Sequence, residues 1–241
     1  MSHVYEQGPT ELIAYFKSGV HTGRGPGLDE AVSTGFVRGL LAEEPIAEAA
    51  RMGRICYTTR LTTGPLDRNV DLVVGPTSRT SHLEPPEFGM IRAAPTEVWL
   101  ALEVKSVMTE HGKAQRNRRT DLNAHALNIH AEYPMAVIAG LCVVNASDTY
   151  VSHTRGGEVN LHGDGKAKAR SAMRELSNVL TRTDTTKVGL DAVCVNVVVV
   201  TNANLGSAHF LGSPPAPADG DRMSYSSFTP RCASLLTDRF L

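Results

Sequence analysis

An acid and a base stand two residues apart in an otherwise apolar segment, residues 98–107, where Glu103 precedes Lys105. The composition of this segment predicts a β-strand. Side chains alternate between the two faces of a strand, so Glu103 and Lys105 share a face with Trp99 and Ala101. Charged groups on an apolar strand cost desolvation free energy unless they are paired, solvated in a cleft or bound to a metal. The pair is therefore a candidate for chemistry, and the competing interpretation is a surface ion pair on an edge strand.

A second acid, Asp71, opens the preceding predicted strand, immediately before Leu72-Val73-Val74. If the two strands pair, Asp71 comes close to Glu103, and two adjacent carboxylates repel each other until a cation binds between them. Hard oxygen ligands of this kind suit magnesium, which keeps several waters and takes a further oxygen from a phosphate. The alternative for Asp71 is a strand-entry or turn acid, and Asp67 in the predicted turn is a weaker candidate for the same ligand role.

The elements around these residues predict an α/β fold with a central mixed β-sheet flanked by helices. An amphipathic helix is expected over residues 29–43, ending before Pro45, and residues 55–61 and 70–74 are expected to form a hairpin. The segment 76–97 contains four prolines and is predicted to be a long loop.

The second half of the chain continues the alternation of helices and strands. A helix is expected from Gly112 to about Tyr133, with Leu122, Ala126 and Ile129 on its buried face. The continuous apolar runs 135–144 and 192–201 are typical of strands covered on both faces. Between them, a strand is expected near Tyr150 and a basic helix over residues 166–181, and the segment 215–221 is an expected exposed loop.

The acid at the start of one strand, followed by Glu103-Val104-Lys105 on the next, resembles the PD-(D/E)XK nuclease superfamily, which has the restriction-endonuclease-like fold. The resemblance covers residues 29–144 and leaves 145–241 as a C-terminal elaboration of a single nuclease domain spanning 1–241. Val70 stands where the superfamily often has proline.

This resemblance implies roles for the motif residues. Asp71 and Glu103 would hold one or two magnesium ions, with the backbone carbonyl of Val104 as a further ligand. Lys105 would orient the attacking water or stabilise charge on the phosphorane, or it would act as a base if its pKa were strongly depressed. Glu30 would add a ligand from the first helix, or it is a helix-start acid favoured by the macrodipole. Gln115 could face the cleft from the following helix.

Basic residues follow the motif strand directly. Five bases against one acid lie in residues 105–119, within a chain of formal net charge −1. They are expected to receive backbone phosphates beside the cleft, although an ordinary solvated helix face is the alternative. The second basic helix is expected to lie farther away, facing solvent. Aromatic residues make up 5% of the chain, with one Trp, which favours duplex DNA over a stacked single strand. The predicted DNA-binding residues are Lys113, Arg116, Arg118 and Arg119.

Other classes of function find no support in the sequence. Neither a phosphate-binding glycine loop nor a GxSxG elbow is present, and the nine histidines show no zinc-ligand spacing. Four widely separated cysteines are expected to be reduced and buried, which fits a cytoplasmic protein, as does the absence of an apparent secretory signal.

The expected function is magnesium-dependent endonuclease activity on double-stranded DNA, most simply as a type II-like restriction or phage-defence enzyme acting as a homodimer. The alternatives are a repair or recombination nuclease of the same fold and a non-catalytic DNA-binding protein with a decayed site.

Overall fold

The fold is described from a computed structural model of the chain. The structure describes residues 8–21, 26–63, 68–78, 89–109, 111–153, 156–203 and 207–241. Asp67 and much of the proline-rich segment lie outside these residues.

Seven strands form one mixed sheet in the order β3-β1-β2-β4-β5-β8-β9, and β6 and β7 form a separate two-stranded hairpin. The strands are β1 (Ile55–Thr63), β2 (Arg68–Pro76), β3 (Ile91–Arg92), β4 (Leu100–Val107), β5 (Val137–Asn145), β6 (Thr149–Ser152), β7 (Glu158–Leu161), β8 (Ala192–Val200) and β9 (Ala208–Phe210).

Helices cover both faces of this sheet. The helices are α1 (Thr10–Lys17), α2 (Pro26–Leu40), α3 (Glu44–Arg51), α4 (His111–Glu132), α5 (Gly165–Leu176) and α6 (Tyr225–Phe240). Buried residues of α1, α2, α3 and α6 share one hydrophobic core, and those of α4 and α5 share the other. The predicted α/β class, with a mixed sheet flanked by helices, is confirmed.

The two motif strands, β2 and β4, are neighbours in the sheet. The predicted hairpin is confirmed, because β1 and β2 pair antiparallel along their length. β2 also pairs antiparallel with β4, Leu72 opposite Leu102, whereas β4, β5 and β8 are mutually parallel. The carboxyl ends of these three strands therefore meet at one edge of the sheet. β8, from beyond residue 144, belongs to the same sheet as the motif strands.

Two local details differ from the sequence pattern. Pro45 lies in the first turn of α3, where its missing N–H is not needed, so it begins a further helix as well as following α2. The alternation of side chains in β4 starts only at Leu100: Trp99 stacks on Phe240 of α6, with ring centroids 5.0 Å apart, on the face opposite Ala101. Trp99 therefore does not share a face with Glu103, because it precedes the regular strand.

The four cysteines are free and buried, as predicted. Among the described helices, none has the length and apolar character that a membrane crossing requires.

Candidate active site

Asp71, Glu103 and Lys105 converge on the sheet face covered by α4. The register of β2 and β4, continued by one residue beyond Leu72 and Leu102, places Asp71 opposite Glu103. The Lys105 ammonium contacts the Glu103 carboxylate, and its Nζ lies 3.9 Å from Asp71 Oδ2. The three side chains keep 13% to 19% of their surface exposed, so a small ligand can still reach them.

The backbone of Val104 takes part in the same cluster. Its N–H donates a 2.7 Å hydrogen bond to Asp71 Oδ2, and its carbonyl oxygen accepts one of 3.2 Å from Lys105 Nζ. The Val104 side chain is buried in the core on the other face of the sheet. Two carboxylates and one carbonyl therefore surround a single cation, the ammonium of Lys105.

Helix α4 packs over the cluster on the same face of the sheet. His125 is buried, with Nδ1 3.7 Å from Glu103 Oε2. Gly140, which pairs with Glu103 on the neighbouring strand, permits this close approach, because an added Cβ would lie 2.8 Å from Leu122 Cδ2 of α4. His125 was not predicted as a site residue. Its position three residues after Leu122, on the buried face of α4, was the available signal.

Two further α4 residues lie on this side of the helix. Arg118 Nε donates a 3.0 Å hydrogen bond to the carbonyl oxygen of Ser106, next to Lys105, and Arg118 also pairs with Asp121 at 2.7 Å. The Asp121 charge acts on both Glu103 and Lys105. Asp121, an acid one turn before His125, was not predicted as a site residue.

Burial and neighbouring charges set the protonation of the pair. Burial raises the pKa of Glu103 above its usual value; Lys105 offsets part of this effect, whereas Asp121 and Asp29 add to it. Burial lowers the pKa of Lys105, but the carboxylates of Glu103 and Asp71 outweigh burial and raise it overall. Lys105 is therefore an ammonium ion in this arrangement.

Two buried neighbours are uncharged near neutral pH. Burial lowers the pKa of His125 to about 4, partly opposed by a hydrogen bond to the backbone of Ala101. Burial also raises the pKa of the Cys142 thiol, which pairs with Lys105 in the register of β4 and β5, to about 12. Neither group brings charge into the cluster, and Cys142 is no thiolate ligand.

Glu30 and Gln115 do not join the cluster. Glu30 pairs instead with Arg92, at 3.0 Å, and 41% of its side chain is exposed. The adjacent Asp29 is the α2 acid whose charge acts on Glu103. Gln115 Nε2 donates a 3.3 Å hydrogen bond to Ser171 Oγ of α5, on the flank of α4 away from the cluster. Gln115 therefore contacts α5 rather than the cluster, because ten residues at about 100° per residue place it roughly 80° around α4 from His125.

The four predicted DNA-binding residues divide into two environments. Lys113 and Arg116 are exposed on α4. Arg118 is held at the cluster by Ser106 and Asp121, and Arg119 pairs with Glu175 of α5 at 2.9 Å.

The cluster has the donor chemistry of a magnesium site. Carboxylate and carbonyl oxygens are the ligands that Mg²⁺ prefers, and a cation, the ammonium of Lys105, already lies among them. Within the described residues, no three His, Cys, Asp or Glu side chains form a group that could hold a metal ion. Asp71 and Glu103 would therefore need the Val104 carbonyl, water and a phosphate oxygen to complete a coordination shell.

Comparisons with known proteins add no relative. No protein-family model matches the chain, and neither a curated protein nor a solved structure is significantly similar to it.

Proposed function

We propose that this protein is a magnesium-dependent endonuclease that hydrolyses phosphodiester bonds of double-stranded DNA, of the PD-(D/E)XK class. The observation that carries the proposal is the convergence of Asp71, Glu103 and Lys105 from two paired strands in a partly open cluster. A surface ion pair on an edge strand would account less well for it, because β4 lies inside the sheet between β2 and β5.

Asp71, Glu103 and the Val104 carbonyl are the groups that would hold the metal. The chemistry supplied by bound magnesium is Lewis-acid polarisation of the scissile phosphate and activation of a water molecule. The hydrogen bond from Val104 N–H fixes one Asp71 oxygen in place, so the carboxylate is oriented before any ligand arrives.

Lys105 serves as a positive charge rather than as a base. Its neighbouring carboxylates favour the ammonium form, and a fixed cation stabilises the negative charge that develops on the phosphorane. His125 packs beside Glu103 as a neutral ring and keeps bulk water from that side of the carboxylate.

Plasmid cleavage tests the proposal. Supercoiled plasmid is incubated with wild-type protein and with Glu103→Gln, each in magnesium or in EDTA. We expect nicked, linear or fragmented DNA only from the wild type with magnesium. The variant should be at least about 100-fold slower, because it loses a carboxylate that would hold the metal whose charge stabilises the transition state. Glu132→Gln, at the exposed end of α4, is the matched control because it removes the same charge away from the cluster.

Unchanged plasmid accompanied by a gel shift would instead indicate a DNA-binding protein with a decayed site and would refute the enzymatic proposal. If the plasmid is cleaved, the pattern of cleavage products distinguishes the possible biological roles. Discrete bands favour a restriction or phage-defence enzyme that reads a sequence, whereas a smear or structure-specific cutting favours repair or recombination. Cutting of both strands at one position would agree with a homodimer, which has one cluster per subunit.

A further inference from the structure

The helices α4 and α5, which carry the two basic stretches, lie side by side and run in the same direction. Gln115 contacts Ser171, Arg119 pairs with Glu175, and the Asn123 side chain accepts a hydrogen bond from the backbone N–H of Leu180. From the first contact to the third, the residue numbers rise on both sides, so α4 and α5 are parallel. Two basic stretches that are separate in sequence therefore form one surface.

Most cations on this surface are exposed and form no ion pair with another residue that the structure describes. The helices α4 and α5 carry eight Lys and Arg residues, although the whole chain has a formal net charge of −1. Arg118 and Arg119 are used in ion pairs with Asp121 and Glu175. The other six are exposed, and none forms an ion pair with another described residue. These six, the α4–α5 basic surface, are Lys113, Arg116, Lys166, Lys168, Arg170 and Arg174.

The surface adjoins the candidate active site. Arg118, Asp121 and His125 lie on the flank of α4 that faces the cluster, and Gln115 and Arg119 lie on the flank that faces α5. Only the width of one helix, about 10 Å with side chains, separates the cluster from α5.

We infer that the α4–α5 basic surface binds the phosphate backbone of duplex DNA and supplies a large part of this protein's affinity for it. The inference deepens the proposed function and rests on it for the choice of DNA as partner. Lys166 and Arg174 are separated by about 12 Å along the helix axis, a length over which duplex DNA carries roughly seven phosphates. The six exposed cations are comparable in number to these phosphates of both strands. The expectation that the second basic helix is remote from the DNA is replaced by one in which both helices contact it.

Salt-dependent binding of a duplex of about 25 base pairs, measured in EDTA, tests the inference without any cleavage. The test variant replaces Lys166, Lys168, Arg170 and Arg174 by Ala, which favours the helix and leaves the core unchanged. Each lost phosphate contact lowers the log–log salt slope by about 0.9, so we expect a slope reduced by roughly 3 to 4 and an association constant lowered at least tenfold.

The matched control replaces four exposed cations outside the two helices, Lys17, Arg51, Arg54 and Lys187, by Ala. Both variants lose the same net charge, so the control separates the basic surface from overall electrostatics. An equal loss of affinity in the control overturns the inference, as does an unchanged salt slope in the test variant. Tighter binding to phosphatidylserine vesicles than to the duplex would also overturn it.

A second variant, Lys166→Glu with Arg170→Glu, covers the case in which the fourfold variant folds poorly, and we expect it to weaken binding at least as strongly. The outcomes are independent of catalysis. If the duplex binds through α5 but the protein never cuts plasmid, only the nuclease proposal is refuted. If the protein cuts plasmid with magnesium but the α5 substitutions do not change binding, only this inference is refuted.

Discussion

The carboxylate of Asp71 accepts a 2.7 Å hydrogen bond from the backbone N–H of Val104, the residue between Glu103 and Lys105. This contact lies just beyond the last paired residues of β2 and β4, Leu72 and Leu102, so a side chain extends the strand ladder there. Asp71 therefore has two separable properties, an oxygen that accepts from Val104 and a negative charge beside Lys105.

Substitutions at Asp71 should separate these properties. Asp71→Asn retains an oxygen acceptor, so we expect a small change in the free energy of unfolding and a large loss of plasmid cleavage. Asp71→Ala also removes the acceptor and should destabilise the protein by a further 1 to 3 kcal/mol or so, the cost of leaving the Val104 N–H without a partner. Urea denaturation of the three proteins provides the comparison. Equal stability of the Asn and Ala variants would show that the Val104 contact contributes nothing.

The Lys105 ammonium and a bound magnesium ion should compete for the same oxygens. Lys105→Met removes the resident cation, so we expect magnesium affinity to rise about thirtyfold, since two unit charges about 4 Å apart in water-like surroundings interact by roughly 1 kcal/mol and magnesium carries two. Cleavage should nevertheless fall about 100-fold or more, because the charge near the phosphorane is lost. Glu103→Gln should lower both quantities.

Isothermal titration of magnesium into DNA-free protein, together with plasmid cleavage rates, measures these effects. Lys113→Met, on the exposed side of α4, is the control and should leave magnesium affinity unchanged. A fall in magnesium affinity for Lys105→Met would mean that the lysine supports the metal site rather than competing with the metal.

His125 should make the metal-free protein sensitive to acid. Burial lowers its pKa in the folded state to about 4, whereas an unfolded chain has a histidine pKa near 6.5. A depressed pKa contributes stability above pH 6.5 that is lost as the pH falls toward 4. The expected loss is about 3 kcal/mol by pH 4.

Urea midpoints measured in EDTA between pH 7.5 and pH 4 test this dependence. In His125→Gln the loss of stability between pH 7.5 and pH 4 should be smaller by about 3 kcal/mol, since glutamine does not titrate and the other histidines are common to both proteins. Parallel pH profiles for the two proteins would show that His125 titrates normally, and thus is not buried as described.

Asp191, at the edge of the sheet where β8 begins, joins two arginines from different elements. Its carboxylate pairs with Arg182 at 2.8 Å and with Arg239 of α6 at 2.7 Å, and it accepts a 2.8 Å hydrogen bond from the backbone N–H of Ile138. The side chains of Asp191 and Arg182 are 2% and 0% exposed. Burial acts to raise the pKa of Asp191, but the hydrogen bonds from the arginines outweigh burial and lower it.

We expect Asp191→Ala to destabilise the protein by about 3 to 5 kcal/mol, because it leaves the guanidinium of Arg182 buried without its counter-charge. The stability that Asp191 contributes is present above the usual aspartate pKa and is lost as the pH falls through its depressed value. Urea denaturation measures the change. Asp184→Ala is the comparison: this acid is 45% exposed and contacts only its neighbours Thr186 and Lys187, so we expect a much smaller shift of the urea midpoint. A similar effect of the two substitutions would rule out the buried network as its source.

The secondary structure could be predicted where local pattern was strong. β5 and β8 are continuous apolar runs, and α4 has its buried residues at helical spacing, so each element emerged from its own residues. Helices α1 and α6 were not predicted. Both have buried residues at helical spacing, such as Leu12 and Phe16 in α1 and Phe228, Cys232 and Leu236 in α6, so a local signal exists; in α6 it is interrupted by Pro230, which ordinarily breaks a helix.

The candidate site divides in the same way. Glu103 and Lys105 are neighbours through strand alternation alone, and Asp71 required only that β2 and β4 pair. His125, Asp121 and Asp29 come from helices whose rotation about the sheet decides which side chain faces Glu103. Asp29 and Glu30 are adjacent in α2, so they point about 100° apart around the helix axis. The sequence pattern does not define how the helix is rotated toward the sheet, and so does not show which of the two acids faces Glu103.

Sequence alone determined the type and order of most elements and the identity of the acid–lysine motif, because those depend on local periodicity and on chemistry carried by single residues. Tertiary structure decided which side chains surround the motif and that α5 lies beside α4. These are long-range relationships, set by how two cores pack against one sheet, and residues far apart in the chain carry no local signal of them.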